Sequence, residues 1–174
     1  ERQFGDALDA GEWERIFGEA ASLGFSIVLL AGGEPLTRKD VIMAASRFRS
    51  MAFPIFTNGT LINDEYISLF DEHRNLIPII SIEGSAEDTN SRRGEGVAEK
   101  TQAAAKRLKK QKILFGASIT VTTRNLDAVT ERDFIVELRE SGCGLVFYVE
   151  YVPAESGTED LVLSGQQCDL LNSR

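Results

Sequence analysis

The chain has 174 residues, 43% of them hydrophobic, which is enough to bury a core, and we expect one domain over residues 1–174. No apolar run reaches the roughly 18 residues of a membrane span, and the N-terminus lacks a signal-peptide pattern, so we expect a cytoplasmic protein with no membrane partner. The net charge of −8 argues against a nucleic-acid partner, because general attraction to phosphates needs a basic surface.

Amphipathic helices and short apolar runs alternate along the chain. Trp13, Ile16, Phe17 and Ala20 recur at helical spacing, and Gly24 follows where a helix would end. Further helices are predicted over residues 41–48, 63–73, 97–110 and 130–141. Predicted strands cover residues 25–31, 53–57, 76–83, 113–122 and 144–152. Each predicted strand therefore comes directly after a helix.

This alternation predicts an α/β fold with a parallel sheet, outer helices and right-handed crossovers. The strand centres lie 25 to 39 residues apart, a spacing typical of βα barrel units. A βα unit begins with a strand, whereas this series begins with a helix, and residues 163–174 read as the start of another helix. We therefore expect that both ends were cut from a longer chain, and that the exposed strand edges promote self-association.

Hydrogen-bonding groups follow every predicted strand, and ligands of parallel α/β folds bind at these carboxyl ends. After the first strand, Gly32 and Gly33 would let a ligand approach the main chain. Glu34 then offers a carboxylate to an ammonium group, and Pro35 can open the next helix. The alternative interpretation is a tight turn with an exposed acid.

The next two strand ends carry groups that suit a ribose. Thr57 and Asn58 offer a hydroxyl and an amide to a ribose or a carboxylate, although they could equally form a turn before the next helix. Ser81 and Glu83 occupy alternate positions, so both should point the same way. This pair could hold a sugar diol or could be ordinary polar groups at a strand end.

The remaining candidate groups are less specific. Arg92 and Arg93 lie in residues 83–96, which we predict to be a polar loop, and could clamp a carboxylate or phosphate or simply be solvated. The two cysteines, Cys143 and Cys168, have the spacing of neither a zinc site nor a disulfide framework. No nucleophile elbow, phosphate loop or dinucleotide turn is present in the sequence.

Three motifs taken in order resemble the radical S-adenosylmethionine (radical SAM) superfamily. They are Gly-Gly-Glu-Pro after the first strand, FTNGTLI after the second, and SIEG followed by arginine after the third. The resemblance covers about residues 13–157 and is closest to the branch of molybdenum-cofactor, peptide-modifying and sulfatase-maturing enzymes. It implies a partial (β/α)6 TIM-like barrel whose first strand and C-terminal part are missing here.

The resemblance also implies a set of residues that bind SAM. The methionine end would be held by Gly32, Gly33, Glu34, Pro35 and Arg92 or Arg93, with Glu34 at the ammonium. The ribose and the surrounding cavity would be lined by Ser81, Glu83, Thr57 and Asn58. The adenine would meet Ile119, Val121, Thr122, Asn125 and the main chain from Tyr148.

The loop of three cysteines that ligates a [4Fe-4S] cluster in this family is absent from the sequence, so no metal ligand or catalytic residue is assigned. We expect an intact parent enzyme that reductively cleaves SAM to a 5′-deoxyadenosyl radical and abstracts hydrogen from a peptide or small molecule. Flavodoxin or ferredoxin would supply electrons, and the chain alone would be inactive. The alternative is a non-catalytic barrel-like domain that binds SAM, another nucleotide or a protein.

Overall fold

Helices and strands alternate in the computed structural model, which describes residues 7–153 and 156–173. The helices of this part are α1 (Ala10–Ser22), α2 (Lys39–Ser46), α3 (Asp64–Glu72), α4 (Ala86–Arg93), α5 (Val97–Lys110), α6 (Leu126–Thr130), α7 (Arg132–Ser141) and α8 (Gly165–Ser173). The strands are β1 (Phe53–Thr57), β2 (Leu76–Ile82), β3 (Gly116–Val121) and β4 (Leu145–Glu150). None of the described helices is long and apolar enough to cross a membrane.

The four strands form one parallel sheet in the order β1-β2-β3-β4, which confirms the predicted α/β class. Phe17 of α1 packs on Phe53 of β1 with 5.1 Å between ring centroids, inside the larger core under the outer helices. A second core forms around Ile119 and Val121 of β3 and is covered by helices that follow it. The helices that contribute to these two cores therefore lie on one face of the sheet, as in a barrel wall.

The opposite face of the sheet is concave. Two strands, β2 and β3, lie between β1 and β4 in the sheet. The ring centroids of Phe56 on β1 and Phe147 on β4 are nevertheless only 5.4 Å apart. Ser81 of β2 pairs in register with Ser118 of β3, which pairs with Phe147 of β4. Residues paired in register point to the same face of a sheet, so both serines lie on the concave face with Phe147. The sheet thus curves around an interior that carries hydroxyl groups, which matches a partial barrel.

The first predicted strand is not a regular strand. Two isolated bridges, Ile27 to Ala52 and Leu30 to Ile55, join this run to the edge of β1. Pro54 lies between the two bridges and has no N–H, so the hydrogen bond that would link them into a continuous ladder cannot form. The prediction of five regular strands is therefore wrong by one, although the run still leads Glu34 to the end of the sheet.

The helix predictions are confirmed, with two additions. Asn63 caps α3 by accepting a hydrogen bond from Tyr66, and α5 has the predicted bounds. The predicted polar loop over residues 83–96 contains α4, and the short helix α6 precedes α7. The apolar pattern could not reveal α4, because Ala86 is its only apolar residue and is exposed.

Candidate functional site

The carboxylate of Glu34 joins the first two strand ends. Its Oε1 accepts hydrogen bonds from the Thr57 hydroxyl at 2.7 Å and from Leu36 N–H at 3.1 Å, while Oε2 accepts from Asn58 N–H at 2.9 Å. A carboxylate has about four lone-pair positions, so these three donors leave one position on Oε2 for a further donor. Glu34 is therefore fixed in place and still able to bind an external cation.

Open space adjoins the main chain just before this carboxylate. Gly32 has a φ of +141°, a conformation that favours glycine, and a Cβ built on Gly32 or Gly33 would have no neighbouring atom within 4 Å. A cleft of about 380 Å³ runs along residues 28–35 and is bordered by Trp13 and Arg38. A ligand can thus reach the backbone beside Glu34, as the glycine pair predicted.

The turn after β1 holds its own side chains rigidly. Asn58 Oδ1 accepts hydrogen bonds from the main chain of Thr60 at 2.9 Å and from its hydroxyl at 2.6 Å, and Gly59 N–H donates to Thr57 Oγ1 at 3.1 Å. The side-chain NH₂ of Asn58 has no partner among the described residues. This amide is the donor that Asn58 can offer to a ligand.

A buried carboxylate lies at the end of β2. Glu83 is 3% exposed, and its two oxygens accept hydrogen bonds from Arg92 Nη1 at 2.5 Å and Arg93 Nε at 2.7 Å. The Arg92 guanidinium also lies 5.7 Å from the ring centroid of Tyr151. We call Glu83, Arg92 and Arg93 the Glu83 cluster, and it carries one net positive charge.

This pairing differs from the arrangement expected for the ribose. Both oxygens of Glu83 are engaged by arginines, because an isolated charge at this depth would be costly to desolvate. The hydroxyls of Ser81 and Ser118 lie on the concave face and form no hydrogen bond with other described residues. The sequence suggested that Ser81 and Glu83 together hold the ribose. The concave face carries the hydroxyls of Ser81 and Ser118, whereas the Glu83 carboxylate is paired with the two arginines.

The side chain of Asn125 is saturated with hydrogen bonds. Its Nδ2 donates to the carbonyls of Glu83 and Thr120, both at 3.0 Å, and its Oδ1 accepts from Thr122 N–H at 2.8 Å and Thr122 Oγ1 at 3.1 Å. A neutral amide has two donors and two acceptor positions, so none remains. The expected contact of the Asn125 side chain with adenine does not fit this geometry.

The apolar residues expected at the adenine face are buried elsewhere. Ile119 and Val121 are 0% exposed and pack under α6 with Leu126 and Val129, on the helix side of the sheet. Tyr148 points to the same side, where its hydroxyl donates to the Val129 carbonyl at 2.6 Å and its burial raises the pKa of the phenol. A ligand on the concave face would not meet these side chains.

The concave face carries other side chains in place of Ile119, Val121 and Tyr148, and these were not predicted from the sequence. Ser118 and Thr120 of β3 alternate with Ile119, and Phe147 follows in register on β4. Strand alternation could have found them once the direction of curvature was known.

The described residues do not fit an iron–sulfur cluster. They contain no group of three or more His, Cys, Asp or Glu side chains placed to hold a metal ion. Cys143 and Cys168 are free, and burial raises the pKa of the Cys143 thiol, whereas cluster ligation requires thiolates.

The fold and the site define a barrel-like α/β protein whose candidate ligand site lies at the strand ends. The sequence matches the radical SAM superfamily over residues 1–141, and the chain belongs to this family. SAM and a [4Fe-4S] cluster are the cofactors of the family.

Two curated relatives illustrate the similarity. The AdoMet-dependent heme synthase of Methanosarcina barkeri is 32% identical over 157 residues, which are 87% of this chain and 44% of the synthase. The PqqA peptide cyclase of Granulibacter bethesdensis is 31% identical over 120 residues, which are 68% of this chain and 31% of the cyclase. The chain thus spans less than half the length of these relatives.

Solved structures of the same fold also match nearly the whole chain. Streptococcus suis SuiB bound to S-adenosylmethionine aligns with a TM-score of 0.78 and 17% identity over 99% of this chain and 41% of SuiB. Native anSMEcpe with bound AdoMet and Cp18Cys peptide aligns with a TM-score of 0.71 and 19% identity over 97% of this chain and 51% of that protein. At these identities the likeness concerns the fold.

Proposed function

We propose that this chain is the SAM-binding core of a radical SAM enzyme. The observation that carries the proposal is Glu34, a fixed carboxylate with one free acceptor position beside the open main chain of Gly32 and Gly33. SAM presents an α-ammonium group, and a bond between such a cation and a carboxylate is short and strong.

The distribution of charge supports the same ligand. The Glu83 cluster carries a net positive charge that can attract the α-carboxylate of SAM, while Glu34 attracts its ammonium. Ser81 and Ser118 lie on the concave face with hydroxyls that can bind a ribose. The Glu34 carboxylate, the two serine hydroxyls and the Glu83 cluster thus correspond to the ammonium, the ribose and the α-carboxylate of one SAM molecule.

The whole protein would catalyse the reaction of its family, the reductive cleavage of SAM to methionine and a 5′-deoxyadenosyl radical that abstracts hydrogen from a substrate. Cluster ligands would come from outside the described residues. A peptide substrate is supported by PqqA peptide cyclase and by SuiB bound to precursor peptide SuiA, and a small molecule by the heme synthase. We place the reaction in the cytoplasm, with flavodoxin or ferredoxin as reductant.

The role of Glu34 is tested by measuring the dissociation constant of SAM for the full-length protein and its Glu34→Gln variant. Glutamine keeps the shape but loses the charge, and it turns an amide NH₂ toward a donor such as Asn58 N–H. A charge-assisted hydrogen bond contributes roughly 1.5–3 kcal/mol, so the dissociation constant should rise about 10- to 100-fold.

Glu19→Gln is the matched control, because Glu19 is an exposed carboxylate on α1 that pairs only with Arg15 among the described residues. This variant should bind SAM like the wild type. Equal affinities of the Glu34 and Glu19 variants would refute the assignment of Glu34.

A further inference from the structure

We infer that Asn125 is a positioning residue that controls how the site binds the amino-acid end of its ligand, rather than a group that contacts adenine. This inference rests on the proposed function. Its starting point is that all four hydrogen-bonding positions of the Asn125 side chain are filled by the protein.

Asn125 acts on the Glu83 cluster through the main chain of Glu83. The Glu83 carbonyl accepts from Asn125 Nδ2 at 3.0 Å, and the Glu83 N–H donates to Thr89 Oγ1 at 3.2 Å. The peptide groups on both sides of the Glu83 Cα are therefore held, which restricts the direction in which its side chain leaves the end of β2. Asn125 ties this point to β3 through its second bond, to Thr120.

The position of Glu83 in turn determines the position of the two arginines. Arg92 and Arg93 end α4, whose single apolar residue, Ala86, is exposed, so apolar packing does not anchor this helix. Polar contacts hold it instead: the bond from the Glu83 N–H to the buried Thr89 hydroxyl, the ion pairs to Glu83, and a hydrogen bond from the Ala98 N–H of α5 to Asn90 Oδ1 at 2.8 Å. Loss of the Asn125 bond would let Glu83 shift, and the arginines would shift with it.

The consequence is a selective effect on ligand binding. The arginines face the α-carboxylate in the proposed site, whereas the adenosine part meets the hydroxyls of the concave face. Removing the Asn125 amide should therefore weaken ligands that carry an amino-acid end and spare ligands that lack one. A residue that contacted adenine directly would weaken both kinds equally.

The experiment measures dissociation constants of S-adenosylhomocysteine and 5′-methylthioadenosine for the full-length protein by calorimetry. Both compounds are uncharged at sulfur and share adenosine, but only the first has an α-amino acid. In Asn125→Leu, which keeps the branched shape without polar atoms, the constant for S-adenosylhomocysteine should rise about tenfold or more, and that for 5′-methylthioadenosine should change less than about twofold.

Asn75→Leu is the matched control. The Asn75 amide also donates to two main-chain carbonyls, of Ala45 at 3.4 Å and Phe48 at 3.2 Å, but it precedes β2 at the opposite end of the sheet. This variant should bind both compounds like the wild type. Thr89→Val removes the hydrogen bond that Thr89 Oγ1 accepts from the Glu83 N–H, and it should show the same selectivity as Asn125→Leu. This variant therefore serves as the test if Asn125→Leu does not fold.

Equal weakening of both compounds, or no weakening, in Asn125→Leu and Thr89→Val would overturn the inference while leaving the proposed function intact. Failure of the wild-type protein to bind either compound would overturn the proposed function and the inference together. The two failures are therefore distinguished by the wild-type measurement.

Discussion

Replacing Glu83 by Gln removes the buried negative charge that holds Arg92 and Arg93 against the end of β2. The Glu83 side chain is 4% exposed, whereas those of Arg92 and Arg93 are 42% and 24% exposed. Losing one partner of a fully buried ion pair costs about 3–5 kcal/mol, but these partly exposed arginines can turn toward water. We therefore expect the free energy of unfolding to fall by about 2–3 kcal/mol, within the range for hydrogen bonds to charged groups.

Urea unfolding followed by circular dichroism measures this change, with the slope of the transition checked for two-state behaviour. Asp160→Asn is the control, because Asp160 pairs with Arg124 across a surface where their side chains are 64% and 74% exposed. An exposed pair contributes at most about 1 kcal/mol, so this variant should stay near the wild type. A Glu83→Gln protein as stable as Asp160→Asn would refute the view that the Glu83 cluster anchors α4.

Two further predictions concern the glycine pair and the sheet edge. Gly33→Ala should leave the free energy of unfolding within about 0.5 kcal/mol of the wild type, because the new methyl group meets open space. The methyl group should fill that space and weaken SAM binding about tenfold. Unchanged affinity for SAM would contradict the proposed ligand path. Phe25, Ile27 and Leu29 are 58%, 59% and 56% exposed along the run beside β1, and we propose that the chain self-associates through them. Light scattering should show a smaller species for Ile27→Lys than for the wild type. Leu23→Lys, a change at an exposed residue outside this run, should have the wild-type size. Equal sizes of the two variants would contradict self-association through this sheet edge.

Much of the fold follows from local patterns, and the exceptions have identifiable causes. The α5 helix could be placed to the residue because Val97 begins a helical pattern that ends in a run of lysines. Pro54 interrupts the first strand. This proline is visible in the sequence, but its effect could not be predicted without knowing that it lies beside the first strand. The α4 helix was missed because a helix held by ion pairs leaves no apolar periodicity.

The candidate site was predictable where it depends on strand ends and unpredictable where it depends on side-chain direction. Parallel strands bring their carboxyl ends together, which is why Glu34 and Thr57 meet. Alternation places Ile119 and Val121 on one face of β3, but both faces of this strand are largely buried, so the pattern does not reveal which face is concave. The pairing of Glu83 with the arginines became visible only with α4.

The proposed enzyme activity is tested most directly by the formation of 5′-deoxyadenosine by the full-length protein, prepared anaerobically with iron and sulfide and reduced in the presence of SAM. We expect bound iron and 5′-deoxyadenosine from the wild type, and strongly reduced product from Glu34→Gln at a SAM concentration near the wild-type dissociation constant. Binding of SAM with no 5′-deoxyadenosine would contradict the enzyme assignment and favour a domain that only binds the nucleotide.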